Sequence, residues 1–291
     1  VSRRSRWRKG GHAALLVLTT VYCLFPIYFM LVQSLKTAKE DVFGNPLIVL
    51  DPTFENFEEL FERTSEAPRG FVGRALKRSY PFLDWLENTV ILFTGAVGIT
   101  LVAGVLAAYA LGRLQPPGFR IWRRVIFASY VVPHTILFVP LYQVILRLGL
   151  DDNLLALLLV YPTLALPFCV WILSAYFQHL PRDVEESALV EGATRRAAFF
   201  KILLPMSRPV LIAAGIFALG TIASDFTLAS VFLLSAHNQT IPAGLGTMEV
   251  ALDELLAVAG INLMAIPVVV LCACFARGYV RGLTAAMLEG S

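Results

Sequence analysis

The residues in this sequence that could do chemistry are few and far apart. His12, His134, His179 and His237 are scattered, with no two at ligand spacing on one helix. A G-x-x-x-x-G-K-S/T loop, an H-E-x-x-H pair and a G-x-S-x-G elbow are all missing. Catalysis by this chain is therefore not expected, nor is ATP binding. Cys23, Cys169, Cys272 and Cys274 all fall in apolar segments. Cys272 and Cys274 are two apart, so on a helix they point to different sides and make a poor metal pair. All four are read as buried thiols, with neither a disulfide framework nor a zinc site. Two polar intrusions remain. Asp225, in TIASDFTLAS, is the one acidic residue deep inside an apolar stretch, where charge is expensive. Either it lines a solute path, meets a partner or gates, or it is held by Ser224, Thr221 or a neighbouring helix. His134 follows Pro133 and either fills the backbone gap that the proline leaves or belongs to the same path.

Most of the charge of interest is concentrated elsewhere, in LPRDVEESALVEGATRRAAFFKILLPMSRPV, Leu180 to Val210. Asp183, Glu185 and Glu186 follow Pro181, where negative side chains suit a helix N-terminus. Leu189, Ala193, Ala197 and Phe200 are spaced by four, four and three, which predicts one apolar stripe. Gly192 interrupts the run at a cost of about 1 kcal/mol relative to alanine, which marks a turn. On its own, this stretch is either an interfacial amphipathic helix that only closes a cytoplasmic loop or a helix that docks a partner.

The elements around it are membrane spans. The chain of 291 residues is 57% hydrophobic and 15% charged, where a soluble chain carries about 25% charged residues. Its formal charge of +3 is too small to suggest nucleic acid. Spans are expected over about 12–33, 88–111, 125–146, 154–177, 210–234 and 257–275, in one domain covering the whole chain. The basic start followed by an apolar run superficially resembles a signal peptide. It is read as a retained anchor, because it is long enough to span and no small-residue cleavage site follows. The second span, TGAVGITLVAGVLAAYALG, is rich in small residues and reads as an internal helix. The segment 34–87 is too long for a simple connection. In TFENFEELFER, the residues Phe54, Phe57, Leu60 and Phe61 would share a helical face outside the bilayer. No extended internal repeat is evident.

Positive charge sets the orientation. With both termini inside, 16 of the 24 Lys and Arg residues fall in cytoplasmic segments, and the short external loops are nearly free of them. Spans three and four carry Pro133, Pro140, Pro162 and Pro167. Such prolines are tolerated only where neighbouring helices or a cavity satisfy the freed carbonyls, so these spans either line a moving, wet centre or are simply kinked.

The order Glu186-Ser187-Ala188, Gly192, Ile202, Leu204-Pro205 resembles the EAA loop of ABC importer permeases, with Ser187 where that family usually has alanine. FPIYFMLVQSLKT, the run from Asp225 to TIPAGL, and FARGYVRGLTAAMLEG resemble the first span, the fifth span with its loop, and the tail of the carbohydrate branch, in its maltose-type second subunit. The resemblance covers nearly the whole chain and is weakest in residues 34–87. The aromatic usual before Asp225 is absent, with Ala223-Ser224 in its place. The resemblance implies an all-α polytopic membrane protein of six transmembrane helices with cytoplasmic termini, the type I ABC importer permease fold, in a bacterial inner membrane. It also implies partners: a homologous second permease, two ABC ATPase subunits holding ATP and magnesium, and an external solute-binding protein. Glu186, Ser187, Ala188, Gly192, Ile202, Leu204 and Pro205 would couple to an ATPase. Asp225, His134 and Pro133 would line or gate the path. The loop 236–247, through Asn238, Gln239, Thr240 and Gly244, would face the binding protein. The substrate implied is a di- or oligosaccharide, with glycerol phosphate or a polyamine as alternatives. An ion-coupled carrier would leave the EAA-like loop unexplained, and in a non-transporting scaffold the amphipathic segment would merely bind a cytoplasmic partner.

Overall fold

The computed structural model describes residues 3–65, 80–248 and 250–288. Among them every regular element is helical. The chain forms two compact units, one of Val1–Leu83 with Thr247–Ile266 and the other of Asp84–Gly246 with Pro267–Ser291.

In the first unit, α1 (Arg3–Ser34) carries the first apolar run. Thr19 and Thr20 return their hydroxyls to the carbonyls of Leu15 and Leu16 at 2.8 Å, so neither opposes burial in an apolar surrounding. After α1 the chain turns into α2 (Ala38–Phe43), whose N-terminus is capped by the Thr37 hydroxyl. The α3 helix (Glu55–Ser65) differs from the face read in the sequence. Leu60 is fully buried, but Phe54 is exposed and Phe61 is 38% exposed. The inward position one turn before Leu60 belongs to Asn56 instead. Its amide donates to the carbonyls of Ser34 and Lys36 at 2.9 and 2.8 Å, satisfying groups that the end of α1 leaves free.

The second unit is built on α4 (Phe82–Leu114), which ends in a π-turn over Ala110–Leu114, and α7 (Leu154–His179). A side chain at Gly95 would strike Leu158, at Gly104 it would meet Cys169, and at Gly112 it would strike Ser174 and Phe177. The pairs rise together along both helices, so α4 and α7 run parallel, with the small-residue face of α4 against α7. The small residues thus place one face of α4, and α7 is the more buried of the two helices. Between them lie α5 (Phe119–Val131) and α6 (His134–Arg147). The run expected as one span over 125–146 is bent by 102° between these two helices. Pro133 supplies the reason, since it cannot donate to the preceding turn and opens α6 in an extended conformation.

The charged stretch forms α8 (Arg182–Val190) and α9 (Arg195–Met206), followed by α10 (Arg208–Ala223), α11 (Thr227–Phe232) and α12 (Ile241–Leu245). The apolar stretch 210–234 is therefore no single helix. It breaks over Ser224–Phe226. The last helix, α13 (Val250–Leu288), belongs partly to each unit.

Among the described residues four helices are long and apolar enough to cross a membrane. The two bent pairs, α5 with α6 and α9 with α10, raise the number to six if each is one span. Of the four cysteines only Cys169 is buried. Cys23 and Cys274 are exposed and Cys272 is intermediate, because the faces of α1 and α13 that carry them are uncovered in this chain.

Candidate functional site

The charged elbow is fixed by one arginine. Arg113, in the π-turn that ends α4, places its Nε 2.7 Å from the Glu185 carboxylate, and both side chains are almost wholly buried. The same guanidinium donates to the carbonyls of Leu180 at 2.7 Å and Pro181 at 3.0 Å. Leu180 caps the end of α7, and Pro181 caps the start of α8. Tyr109, one turn earlier on α4, donates to the other Glu185 oxygen at 3.3 Å. One cation thus ties the ends of α4 and α7 to the first turn of α8. A planar fork of donors suits the task, and lysine would not reproduce it.

Glu186 faces the other way. It is exposed, as is Ser187, while Ala188 is buried against the rest of the chain. The helix ends at Glu191, and Gly192 turns the chain at φ +92°, a conformation that glycine adopts without strain. Thr194 then caps α9 by accepting from the Ala197 N–H. The single apolar stripe expected through Leu189, Ala193, Ala197 and Phe200 does not form. Phe200 is 60% exposed, and the buried positions are Ala198, Phe199 and Leu203. Two breaks in helical register account for this: the turn at Gly192 and a π-turn over Phe199–Leu203. Ile202 and Leu204 are half-buried and Pro205 is exposed. The elbow closes on α7, where the Tyr176 hydroxyl donates to the Met206 carbonyl at 3.1 Å.

Asp225 lies in the break between α10 and α11. Its carboxylate accepts from the N–H groups of Leu228 and Ala229 at 3.3 and 3.1 Å, capping α11, and from the Tyr161 hydroxyl of α7 at 3.0 Å. Neither Ser224 nor Thr221 holds it; their hydroxyls return to helix carbonyls at Thr221 and Phe217. A neighbouring helix and the backbone hold the acid. A half-open pocket of about 280 Å³ opens beside it, lined by Phe138, Leu164, Thr221, Ser224, Asp225, Thr227 and Leu228. Phe138 is the contribution of α6. Pro133 is exposed and is not part of that lining, and the His134 side chain lies outside the described residues.

At the opposite ends of these helices, the loop after α11 is pinned from inside. Asn88 donates to the carbonyls of His237 and Gln239 at 2.8 and 3.0 Å, and the Trp85 indole donates to Ala236 at 2.6 Å. Asp152, at φ +52°, accepts from the N–H groups of Leu234 and Ser235 at 2.8 and 2.9 Å and from the Ser235 hydroxyl. Partial burial alone would push its carboxyl up, but the hydrogen bonds from Ser235 and Leu234 outweigh it and hold the group below the usual carboxylate value. Asn238 is drawn to the Asp152 carbonyl at 2.7 Å. Gln239, Thr240 and Gly244 are buried, so the exposed part of this loop is 234–237 and 246–247. The resemblance places the whole loop 236–247 toward a binding protein, but in this chain Gln239, Thr240 and Gly244 are turned inward. The loop's backbone is held from outside it, by Asn88, Trp85 and Asp152.

The Arg113–Glu185 pair was also missed in the sequence, where nothing joins two charges so far apart in the chain. A lone arginine directly after a long apolar run was the available signal.

Residues 100–283 match the family described as binding-protein-dependent transport system inner membrane component. An inner membrane ABC transporter permease protein, YcjP of Escherichia coli strain K12, is 30% identical, and the alignment spans 99% of each chain. The trehalose/maltose transport system permease protein MalG of Thermococcus litoralis is 28% identical over 94% of each chain. Among solved structures, a bacterial ABC transporter involved in the import of the acidic polysaccharide alginate contains a chain with the same fold, at a TM-score of 0.77. It is 20% identical, and the superposition covers 95% of this chain and 98% of that one. The chain belongs to the family of binding-protein-dependent transport system inner membrane components and is a multi-pass permease subunit of such a system.

Proposed function

We propose that this subunit takes up a sugar, a di- or oligosaccharide, by alternating access. An external solute-binding protein delivers the sugar, and a homologous second permease completes the path. Two separate ATPase subunits, which hold ATP and magnesium, drive the cycle. The chain crosses the membrane six times with both ends in the cytoplasm. The trehalose and maltose named for the Thermococcus litoralis relative and the alginate named for the solved transporter support a carbohydrate.

The geometry of α8 carries this reading. Glu185 and Glu186 are neighbours with opposite surroundings, one held by Arg113 and the other exposed. A partner that grips Glu186 and Ser187 therefore pulls on a helix already fixed to the ends of α4 and α7. Movement of an ATPase is passed to the spans rather than absorbed in a loop. Ala188 seats α8 on its own chain, and Gly192 supplies the turn. Ile202, Leu204 and Pro205 carry the motion into α10.

Replacing Glu186 by Lys tests the coupling. Co-expressed with the second permease and the ATPase, E186K is expected to insert normally but to lose assembly and binding-protein-stimulated ATP hydrolysis. Normal values of both would defeat the coupling role. Uptake of labelled trehalose and maltose by vesicles carrying the wild-type complex tests the substrate. Uptake of glycerol phosphate or a polyamine in their place would reassign it.

A further inference from the structure

Five aromatic rings from three helices of the second unit form one ladder. Phe168 of α7 and Phe217 of α10 lie 4.0 Å apart between ring centroids. Tyr130 of α5 lies 5.6 Å from the first and 6.1 Å from the second. The ladder continues from Phe168 to Trp171 at 5.8 Å, and from Trp171 to Phe127 at 5.1 Å. The chain does not close over it: Phe127 is 37% exposed, Trp171 is 41% exposed and the other three rings are half-buried.

Rings on a membrane protein can simply face lipid, and their register argues against that here. On α7, Leu164, Phe168 and Trp171 are spaced by four and three, so they share one face. On α10, Phe217, Thr221 and Ser224 follow the same spacing. Leu164, Thr221 and Ser224 line the pocket beside Asp225. One face of each helix therefore carries both pocket and ladder. A carboxylate is costly against hydrocarbon, so the pocket side is turned away from lipid, and the rings that continue it are turned the same way.

The chemistry of this strip is amphipathic in a particular manner. One end offers the hydroxyls of Thr221, Ser224 and Thr227 with the Asp225 carboxylate, and the other offers aromatic faces, edged by the Tyr130 hydroxyl and the Trp171 indole. Seven residues of helix at about 1.5 Å each give a strip of about 10 Å. A sugar ring has a face of C–H groups that stacks on an aromatic ring and an edge of hydroxyls that needs hydrogen-bond partners. An acyl chain would leave the hydroxyls of the pocket unused, and an anion would meet the carboxylate. The geometry points to a carbohydrate track in this subunit: sugar rings pass over Phe168, Trp171 and Phe217 and are held by their hydroxyls at the Asp225 pocket. This assignment rests on the sugar-uptake reading above.

The test uses the whole importer in proteoliposomes, with labelled trehalose and maltose as probes. The double variant F168L/F217L keeps apolar bulk and removes the ring faces. Uptake is expected to fall about tenfold, with the assembled complex recovered at the wild-type yield. F168Y, which keeps a ring, is expected to retain most uptake. In a cysteine-free background, F168C is expected to react with a charged, membrane-impermeant thiol reagent and to be protected by the transported sugar. If the wild type moves sugar and F168L/F217L matches it, the track is wrong and sugar uptake stands. An active F168C that resists the charged reagent places the ring against lipid and also overturns the track. If the wild type moves no sugar, the uptake reading fails and the track with it.

Discussion

The two ends of the second unit solve the same problem with opposite chemistry. Each must hold a connecting segment against the ends of α4 and α7. At the elbow one buried guanidinium does this, reaching a carboxylate and the carbonyls of Leu180 and Pro181. At the far end the work is divided among the Asn88 amide, the Trp85 indole and the more exposed Asp152 carboxylate. The difference has a physical consequence. Removing one partner of a buried charge pair leaves the other charge without compensation, whereas removing one of several hydrogen bonds leaves the rest in place. The elbow is therefore rigid and intolerant of change, while the far loop is latched by several bonds of which no single one decides.

That contrast is sharpest at Arg113. Replacement by Ala leaves Glu185 buried without its partner and is expected to destabilise the purified subunit by about 3–5 kcal/mol, read as a drop in its detergent melting temperature. Replacing Arg113 and Glu185 together by Met is expected to recover most of that loss, because the uncompensated charge is then gone. A double variant no more stable than the single would show that the carbonyl contacts of Arg113, and not its charge pairing, hold the elbow.

A smaller effect is expected at the far end. A methyl group added at Gly244 would lie 2.3 Å from the Trp85 ring. G244A is expected to cost about 1–3 kcal/mol, typical of overpacking, and to loosen the loop while leaving the elbow intact. Limited proteolysis of the loop measures this, and cleavage at the elbow instead would contradict the separation of the two ends.

The smallest effect is the pH dependence of Asp152. Its folded carboxyl titrates below the unfolded value of about 3.9. Its stabilising contribution is therefore complete above that value and is lost as pH falls through the lower folded one. The stability difference between wild type and D152N, followed by melting from neutral pH downward, is expected to hold steady and then shrink in acid. A difference that grew on acidification would show that the carboxylate opposes the latch.

How much of this was legible in the sequence depended on how local the cause was. The turn at Gly192 and the helix beginning after Pro181 follow from backbone chemistry of single residues, and both are found. The break at Pro133 has an equally local cause, yet a proline in an apolar run is compatible with a kink or a full bend, and packing selects the 102° bend. The apolar stripe of the charged segment failed because it assumed one uniform helical period. The turn at Gly192 starts a second helix in a new register, in which Phe199 rather than Phe200 is buried, and the π-turn shifts the residues after it. The loop 236–247 was legible as a loop, but not which of its side chains are buried. Polarity shows that side chains need partners, and Asn238 finds its partner within the chain at Asp152.

Sequence alone determined that the chain is a helical membrane protein, where its apolar runs lie, and that the charged stretch carries the EAA-like order. Hydrophobic length and charge placement are sums over many residues, and these survive any detail of packing. Tertiary structure decided which charges are bound and which are free. Glu185 and Glu186 are chemically identical and adjacent; the EAA-like order singles out Glu186, but nothing in the sequence shows what holds Glu185. Only the direction of α8 against the end of α4, with Arg113 seventy-two residues earlier in the chain, turns one acid inward and leaves the other exposed.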